Sequence, residues 1–399
     1  MGVTDHAAGD MRNFHVAYDY NATELNEQYD EILDDLLAHC PVARSEDGEG
    51  YWVVNRYDDV RRVLQNWETF RSGDGFVPNR PEGMPFWYPV ECDPPFHTEL
   101  RKVLSPFLSP KAVAALEPEI RRHADSLIDD FIDAGEVEIV SQFANSLPGR
   151  VFCSSIAAMP LEDMPYLQKC FQAGIVGPRD GRAASMKRAQ DYIAAYLEKR
   201  AGEAPRGDVV DAILAFEWPE YEFVDKAGTL SQLTQGGVGT TGFVFAGSLL
   251  HLAQFPDARR ALHEDLSKVP TAVEEFLRFY ASAPHLGRRA VGDTEVGGAQ
   301  IRNGDFVLVS VGAASRDPAV CPFPSRVDID RTPNRHLAFG AGPHRCVGSH
   351  LARLNLRIGL ERFLARIPDF TLPDEFVPQY QVGTTRDMVS LPLRFDGTP

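Results

Sequence analysis

Cys346 stands in the run Phe339-Gly340-Ala341-Gly342-Pro343-His344-Arg345-Cys346-Val347-Gly348, close behind two basic residues. Glycine has no Cβ, so backbone N–H groups can approach the sulfur closely. N–H dipoles and neighbouring cations favour thiolate over thiol. A helical apolar pattern follows (Leu351, Leu354, Leu356, Ile358, Leu360, Phe363). A thiolate held at the start of a helix is a good ligand for a soft or borderline metal. The same turn in isolation would equally suit a buried structural cysteine.

Other residues with chemical potential lie far away in the chain. His97 and Arg101 are four apart after Asp93-Pro94-Pro95. Proline suits the first helical turn, and the i, i+4 spacing puts both side chains on one face. Arg presents a planar fork of donors to a carboxylate. Glu275 and Arg278 are three apart on a helical pattern, which on a surface is a weak pair. Gly236, Gly237, Gly239 and Gly242 sit inside a stretch, 227–255, that reads as one long helix ending at Pro256. Each glycine in a helix interior costs roughly 1 kcal/mol against alanine, so a flat object packed on the backbone is a good reason for them. Gly237-Val238-Gly239-Thr240-Thr241-Gly242 also matches the dinucleotide pattern Gly-x-Gly-x-x-Gly. The residues before it, Gly228 to Gln235, are polar and helix-like, whereas that motif needs an apolar strand feeding a tight turn.

These residues need elements to position them. Residues 24–40 have helical spacing, 51–54 read as a strand, and a short helix with Val60, Val63 and Leu64 follows. Residues 71–90 are irregular and end in Phe86-Trp87-Tyr88. A long loop in a compact protein is functional or disordered, and clustered aromatics argue against disorder. Phe76, Phe86, Trp87 and Tyr88 are expected to line an apolar cavity as a lid; the alternative is a surface loop pinned by its own aromatics. From about 111 to 200 the pattern is mostly helical, and strands are expected at 294–296 and 306–311.

The pattern Phe-x-x-Gly-x-His-x-Cys-x-Gly at 339–348 resembles the heme-ligand loop of the cytochrome P450 family. Four more segments resemble family motifs in the family's order: Asp-Pro-Pro with His97 and Arg101, the glycine-threonine helix, Glu-x-x-Arg at Glu275 and Arg278, and Pro324-Ser325-Arg326. The resemblance implies a mainly α fold with a small β region, a long central helix over heme, and one domain spanning 1–399. It implies heme b (iron protoporphyrin IX), with Cys346 as axial ligand. The implied cofactor contacts are His97, Arg101, Gly236, Gly237, Arg288, Phe339, His344, Cys346 and Gly348. Thr240 matches the threonine that manages protons for dioxygen. Gly239 stands where the family has an acid. Arg326 would complete a buried network with Glu275 and Arg278. Phe171, Ile175, His285, Leu286 and Thr384 fall where the family lines its pocket.

The composition is ordinary for a globular chain: 44% hydrophobic and 24% charged over 399 residues. A net charge of -17 argues against non-specific nucleic-acid binding. Six scattered cysteines without a Cys-x-x-Cys pair suggest reduced thiols in a cytoplasm. The polar N-terminus shows no signal-peptide core, and no membrane span is expected. The expected activity is insertion of one oxygen atom from O2 into a small apolar or aromatic molecule, by hydroxylation or oxidative O-dealkylation. The resemblance implies electrons from a ferredoxin or flavodoxin served by an NAD(P)H reductase. Arg101, Lys102, Arg345, Arg353 and Arg357 are expected to form a basic docking face. Two rival readings are a peroxide-driven peroxygenase and a non-catalytic heme-binding sensor or carrier.

Overall fold

A computed structural model describes residues 13–22, 24–78, 80 and 86–396. Its frame is helical. The apolar pattern near the N-terminus forms α1 (Tyr29–His39), which buries Tyr29, Ile32, Leu33, Leu36 and Leu37. A hairpin of β1 (Val42–Ser45) and β2 (Tyr51–Val54) follows, then α2 (Tyr57–Gln65) and the short β3 (Phe70–Arg71). With β4 (His285–Ala290) and β5 (Phe306–Ser310) these strands make one five-stranded sheet, ordered β1-β2-β5-β4-β3. The β2–β5 pair is parallel and β4–β5 antiparallel, with Leu286 opposite Val309 and Arg288 opposite Val307. Every residue of β5 is buried, as expected of a central strand covered on both faces.

The helices carry the main core. α3 (Phe96–Leu104) begins after Asp93-Pro94-Pro95. α4 (Met164–Ile175) and α5 (Arg179–Ala201) form an antiparallel pair over the central helix. That central element is expected as one helix over 227–255 but is built as two, α6 (Phe223–Val238) and α7 (Thr240–Gln254). The interruption falls at Gly239, whose φ of -103° and ψ of -51° depart from ideal helix. Phe223–Gln254 is long and apolar enough to cross a membrane by composition, but most of it is buried in the core, as a central helix should be. α8 (Val269–Phe279) carries Glu275 and Arg278, and α9 (Ser349–Arg366) follows the cysteine loop. A C-terminal hairpin of β6 (Tyr380–Val382) and β7 (Arg386–Met388) packs on α7.

Candidate active site

The cysteine loop is shaped by two left-handed glycines, Gly340 (φ +66°) and Gly342 (φ +70°). At Gly342 the conformation and the space agree: a Cβ there would strike the backbone of Leu64 and Gln65 on α2. The Cys346 N–H donates to the Phe339 carbonyl at 2.9 Å, which closes the loop. Cys346 lies deep in the protein, and the surface it exposes is open to a cavity of about 250 Å³. Burial pushes its thiol pKa up; the Gly348 N–H and the cations of Arg101, Arg345 and Arg353 oppose this and do not cancel it. The N–H dipole and the cations thus act in the expected direction, and burial outweighs them. A buried thiolate here needs a countercharge as close as a bonded metal.

α6 and α7 form the facing wall. Gly236, Gly237, Thr240 and Thr241 line the cavity. The glycines serve different purposes. A Cβ on Gly236 would meet no protein atom, so this glycine opens onto the cavity, whereas one on Gly237 would strike the Phe152 ring. Gly242 lies against Asn145, and Gly247 against the Tyr280 ring. Gly237, Gly242 and Gly247 therefore serve close packing against other side chains. The Thr240 hydroxyl donates to the Gly236 carbonyl at 2.9 Å. Its oxygen keeps lone pairs free to accept.

Basic groups gather on one side. His97, Arg101, Arg288 and His344 all line the cavity. His97 is 3% exposed, and neither ring nitrogen has a partner among the described residues. His344 likewise leaves Nε2 without one, and the two rings lie 4.1 Å apart. Burial lowers the His97 pKa to about 4, helped by the Arg101 and Arg288 charges. His344 is lowered by burial and by the same neighbours. Arg288, fully enclosed, is lowered to about 10 by burial. Buried donors and like charges of this kind fit an anionic ligand, and carboxylates would satisfy both the orphaned nitrogens and the charge. Beside it, Arg289 turns outwards to the Gly304 carbonyl and Asp74, because successive strand residues face opposite sides.

The Glu-x-x-Arg pair is buried. Both side chains are 0% exposed, and Arg278 grips Glu275 through two 2.8 Å hydrogen bonds. Burial alone would raise the Glu275 pKa; Arg278, the Asp328 N–H and Arg331 outweigh it, and the carboxyl is held low. The second arginine is Arg331, at 3.0 Å from Glu275, and Asn334 donates at the same distance. Arg326 does not complete the network. Its side chain is exposed, and its carbonyl accepts from Arg278 and Arg331, each at 3.2 Å. Two arginines five apart in an aperiodic segment look alike in sequence, and spacing gives no basis for choosing between them.

The expected aromatic lid does not line this cavity. Glu91, buried, accepts from the N–H groups of Phe76 and Trp87 and pairs with Arg80 at 3.1 Å. The chain so held sends Pro89 and Val90 to the cavity wall. Phe76 and Trp87 pack on each other, and Phe86 is 43% exposed and stacks on Tyr88. Tyr88 turns to Phe96 and Tyr221. Phe171 and Ile175 are core residues of α4. Thr384 sits at a hairpin tip where neighbouring Gly383 abuts the Ile175 carbonyl. His285 faces away from Leu286 by strand alternation and bonds the Tyr18 hydroxyl at 2.6 Å. Burial lowers its pKa to about 3, so it is a neutral core histidine. Leu286 does line the cavity, with Ser282 and Ala283, and so does Gln232, which sequence reading missed.

Residues 175–379 match the family description Cytochrome P450. The chain is 32% identical over 356 residues to mycinamicin IV hydroxylase/epoxidase of Micromonospora griseorubida, covering 86% of this chain and 87% of the relative. The chain belongs to the cytochrome P450 family. It is also 33% identical to nocardicin C N-oxygenase of Nocardia uniformis subsp. tsuyamanensis, over 87% of this chain and 90% of that one. A solved structure of a P450 EryK mutant in complex with erythromycin B superposes with a TM-score of 0.84, at 27% identity and covering 92% and 96% of the two chains. Cytochrome P450 membership makes this chain a monooxygenase and an oxidoreductase, and it implies heme iron. The cavity fits that group on three grounds: a cysteine facing it, orphaned basic donors on one wall, and a side-chain-free patch at Gly236.

Proposed function

We propose that this cytochrome P450 inserts one oxygen atom of O2 into a small, largely apolar substrate, by hydroxylation or oxidative O-dealkylation. The observation that supports it most is the single cavity shared by Cys346, the unpartnered His97 and Thr240. In this reading Cys346 would hold the iron through its sulfur, and His97, Arg101, Arg288 and His344 would hold the propionates. Heme, when bound, supplies dioxygen activation and O–O cleavage favoured by thiolate ligation. The protein's own work is placement, exclusion of bulk water and proton supply. Apolar Leu233, Val244, Leu286 and Val90 exclude water from the reacting side. Thr240 Oγ1 accepts a hydrogen bond while its own proton goes to Gly236 O, which orients a proton donor beside the helix. Gly239 has no side chain to relay protons, so water carries them. Electrons come from a ferredoxin or flavodoxin fed by an NAD(P)H reductase, in the cytoplasm, where the five cysteines other than Cys346 would stay reduced.

The test has two parts. The reduced protein with carbon monoxide should give the thiolate-ligated heme spectrum, and Cys346→Ser should abolish it. In a reconstituted redox chain, Thr240→Ala should lower product per NADPH by on the order of tenfold, at or below the low end of what a proton-transfer group supplies. Full coupling in that variant would remove Thr240 from the scheme. Gly239→Asp is the complement: a Cβ there meets nothing closer than the Gln235 carbonyl at 3.7 Å. It should change the solvent isotope effect. The missing acid also favours one second reading, a peroxide-driven peroxygenase. Turnover with hydrogen peroxide as fast as with NADPH would decide for it.

A further inference from the structure

Glu274 on α8 touches both ends of the segment that presents Cys346. Beyond the cysteine, Arg353 of α9 donates to its two oxygens at 2.6 and 2.8 Å. Ahead of the loop, His336 Nε2 lies 3.1 Å from Glu274 Oε2, and His336 Nδ1 accepts from the Ala338 N–H at 3.2 Å. A carboxylate only accepts, so Nε2 carries the proton, and a neutral ring satisfies both contacts. The charges held here are then one carboxylate and one guanidinium. That guanidinium lies 4.5 Å from the centre of the Phe339 ring, and the Phe339 carbonyl accepts from the Cys346 N–H. Of the three cations that act on Cys346, Arg101, Arg345 and Arg353, only Arg353 is paired with a carboxylate among the described residues. The pair is partly buried, with side chains 29% and 30% exposed, so salt screens it less than an open surface pair.

We propose that Glu274 is a positioning residue for the heme centre: it fixes Arg353 against the cysteine loop and cancels its charge, which keeps the reduction potential of the iron below the value that a bare Arg353 would set. This rests on Cys346 holding the iron, as in the reading proposed above. Reduction of ferric to ferrous heme adds one electron, and so one negative charge, at the iron. A bare cation beside the loop favours that added charge, and a bare carboxylate opposes it. Glu274 and Arg353 therefore pull the potential in opposite directions, and the intact pair leaves it near balance. Mechanical clamping of α8 to α9 alone predicts no such opposition of sign.

Spectroelectrochemical titration of the holoprotein tests this. Glu274→Gln, which strips the charge and keeps the shape, should raise the midpoint potential. The expected size is on the order of a tenfold change in the ferric–ferrous equilibrium, about 59 mV for one electron. Arg353→Gln should lower the potential by a similar amount. The double variant, in which the pair is neutral, should return to the wild-type value, and Arg353→Lys, which keeps the charge, should stay there. Single variants that move the potential the same way, or not at all, overturn the proposal, as does a double variant perturbed as much as either single one. If Glu274→Gln takes up no heme, the sign in Arg353→Gln decides: a raised or unchanged potential there overturns the proposal. The carbon monoxide spectrum of the same samples separates the two readings. A thiolate-heme spectrum with unshifted potentials removes Glu274 alone; no heme uptake by the wild-type protein removes the cavity reading and this proposal together.

Discussion

Glu275 is the hub of a buried hydrogen-bond network near the site. Its two oxygens receive Arg278, Arg331, Asn334 and the Asp328 N–H. Removing one partner of a buried ion pair leaves the other uncompensated and costs about 3–5 kcal/mol. Glu275→Ala should therefore not yield heme-loaded protein, and Arg331→Ala should lose a comparable share of stability. Arg326→Ala should change stability by no more than about 0.5 kcal/mol, because its exposed side chain does nothing that its backbone carbonyl does not. Urea midpoints and heme-to-protein ratios for the three variants decide the assignment. A collapse in Arg326→Ala with an intact Arg331→Ala would reverse it.

The central helix shows that one residue type can serve two ends within a few turns. Gly242→Ala would press a methyl into Asn145 and to 3.1 Å from the Ala144 carbonyl. Overpacking costs about 1–3 kcal/mol, and the gain in helix propensity returns roughly 1 kcal/mol. Net destabilisation is expected. Gly236→Ala meets no protein atom, so the apoprotein should keep or gain thermal stability while heme-ligand affinity falls. Thermal unfolding of both variants, with and without heme, checks the contrast. The clamp between α8 and α9 has its own pH signature. Burial raises the Glu274 pKa, but hydrogen bonds from Arg353 and His336 outweigh it and bring it down to about 2. A depressed carboxyl contributes stability that is complete above its unfolded pKa and is lost as pH falls through the folded one. Wild type should thus be more stable than Glu274→Gln at neutral pH, and the gap should close between about 4.5 and about 2. A gap of constant size across that range would show that Glu274 acts by shape and not by charge.

Across the whole molecule, a net charge of -17 sets the background against which any docking face must work. Of the five basic residues expected to attract an acidic electron donor, four are already engaged. Lys102 pairs with Glu99, Arg353 with Glu274, and Arg357 with Glu117 and Glu361. Arg101 faces the cavity. Arg345 is exposed and has no ion pair among the described residues. Rim charges govern association rate and its salt dependence. Reduction by an acidic ferredoxin should accordingly slow only about twofold to threefold between low and physiological ionic strength, and Arg345→Ala should remove most of that response. Stopped-flow reduction at a series of salt concentrations measures it; a drop of a hundredfold would mean that the paired residues steer after all.

Residue types at fixed local spacing carried the chemistry into view. The cysteine loop, the His97/Arg101 face, Glu275 with Arg278, and Thr240 beside Gly239 are each readable because their partners lie within a few positions of one another. So is the absence of an acid at Gly239, since an absent side chain needs no coordinates. The mainly helical class was implied by the family resemblance that these local motifs carry, and the helical period of single segments agrees with it. The remainder depended on which way a side chain turns once distant segments meet. Strand alternation sent His285 into the core and Leu286 to the cavity. Glu91, through two N–H groups and Arg80, turned the aromatics of 86–88 away from the wall they were expected to line. Arg331 reached Glu275 across 56 residues where Arg326 could not. Local spacing records the chemistry a segment can offer; long-range packing decides which face of that segment meets the site.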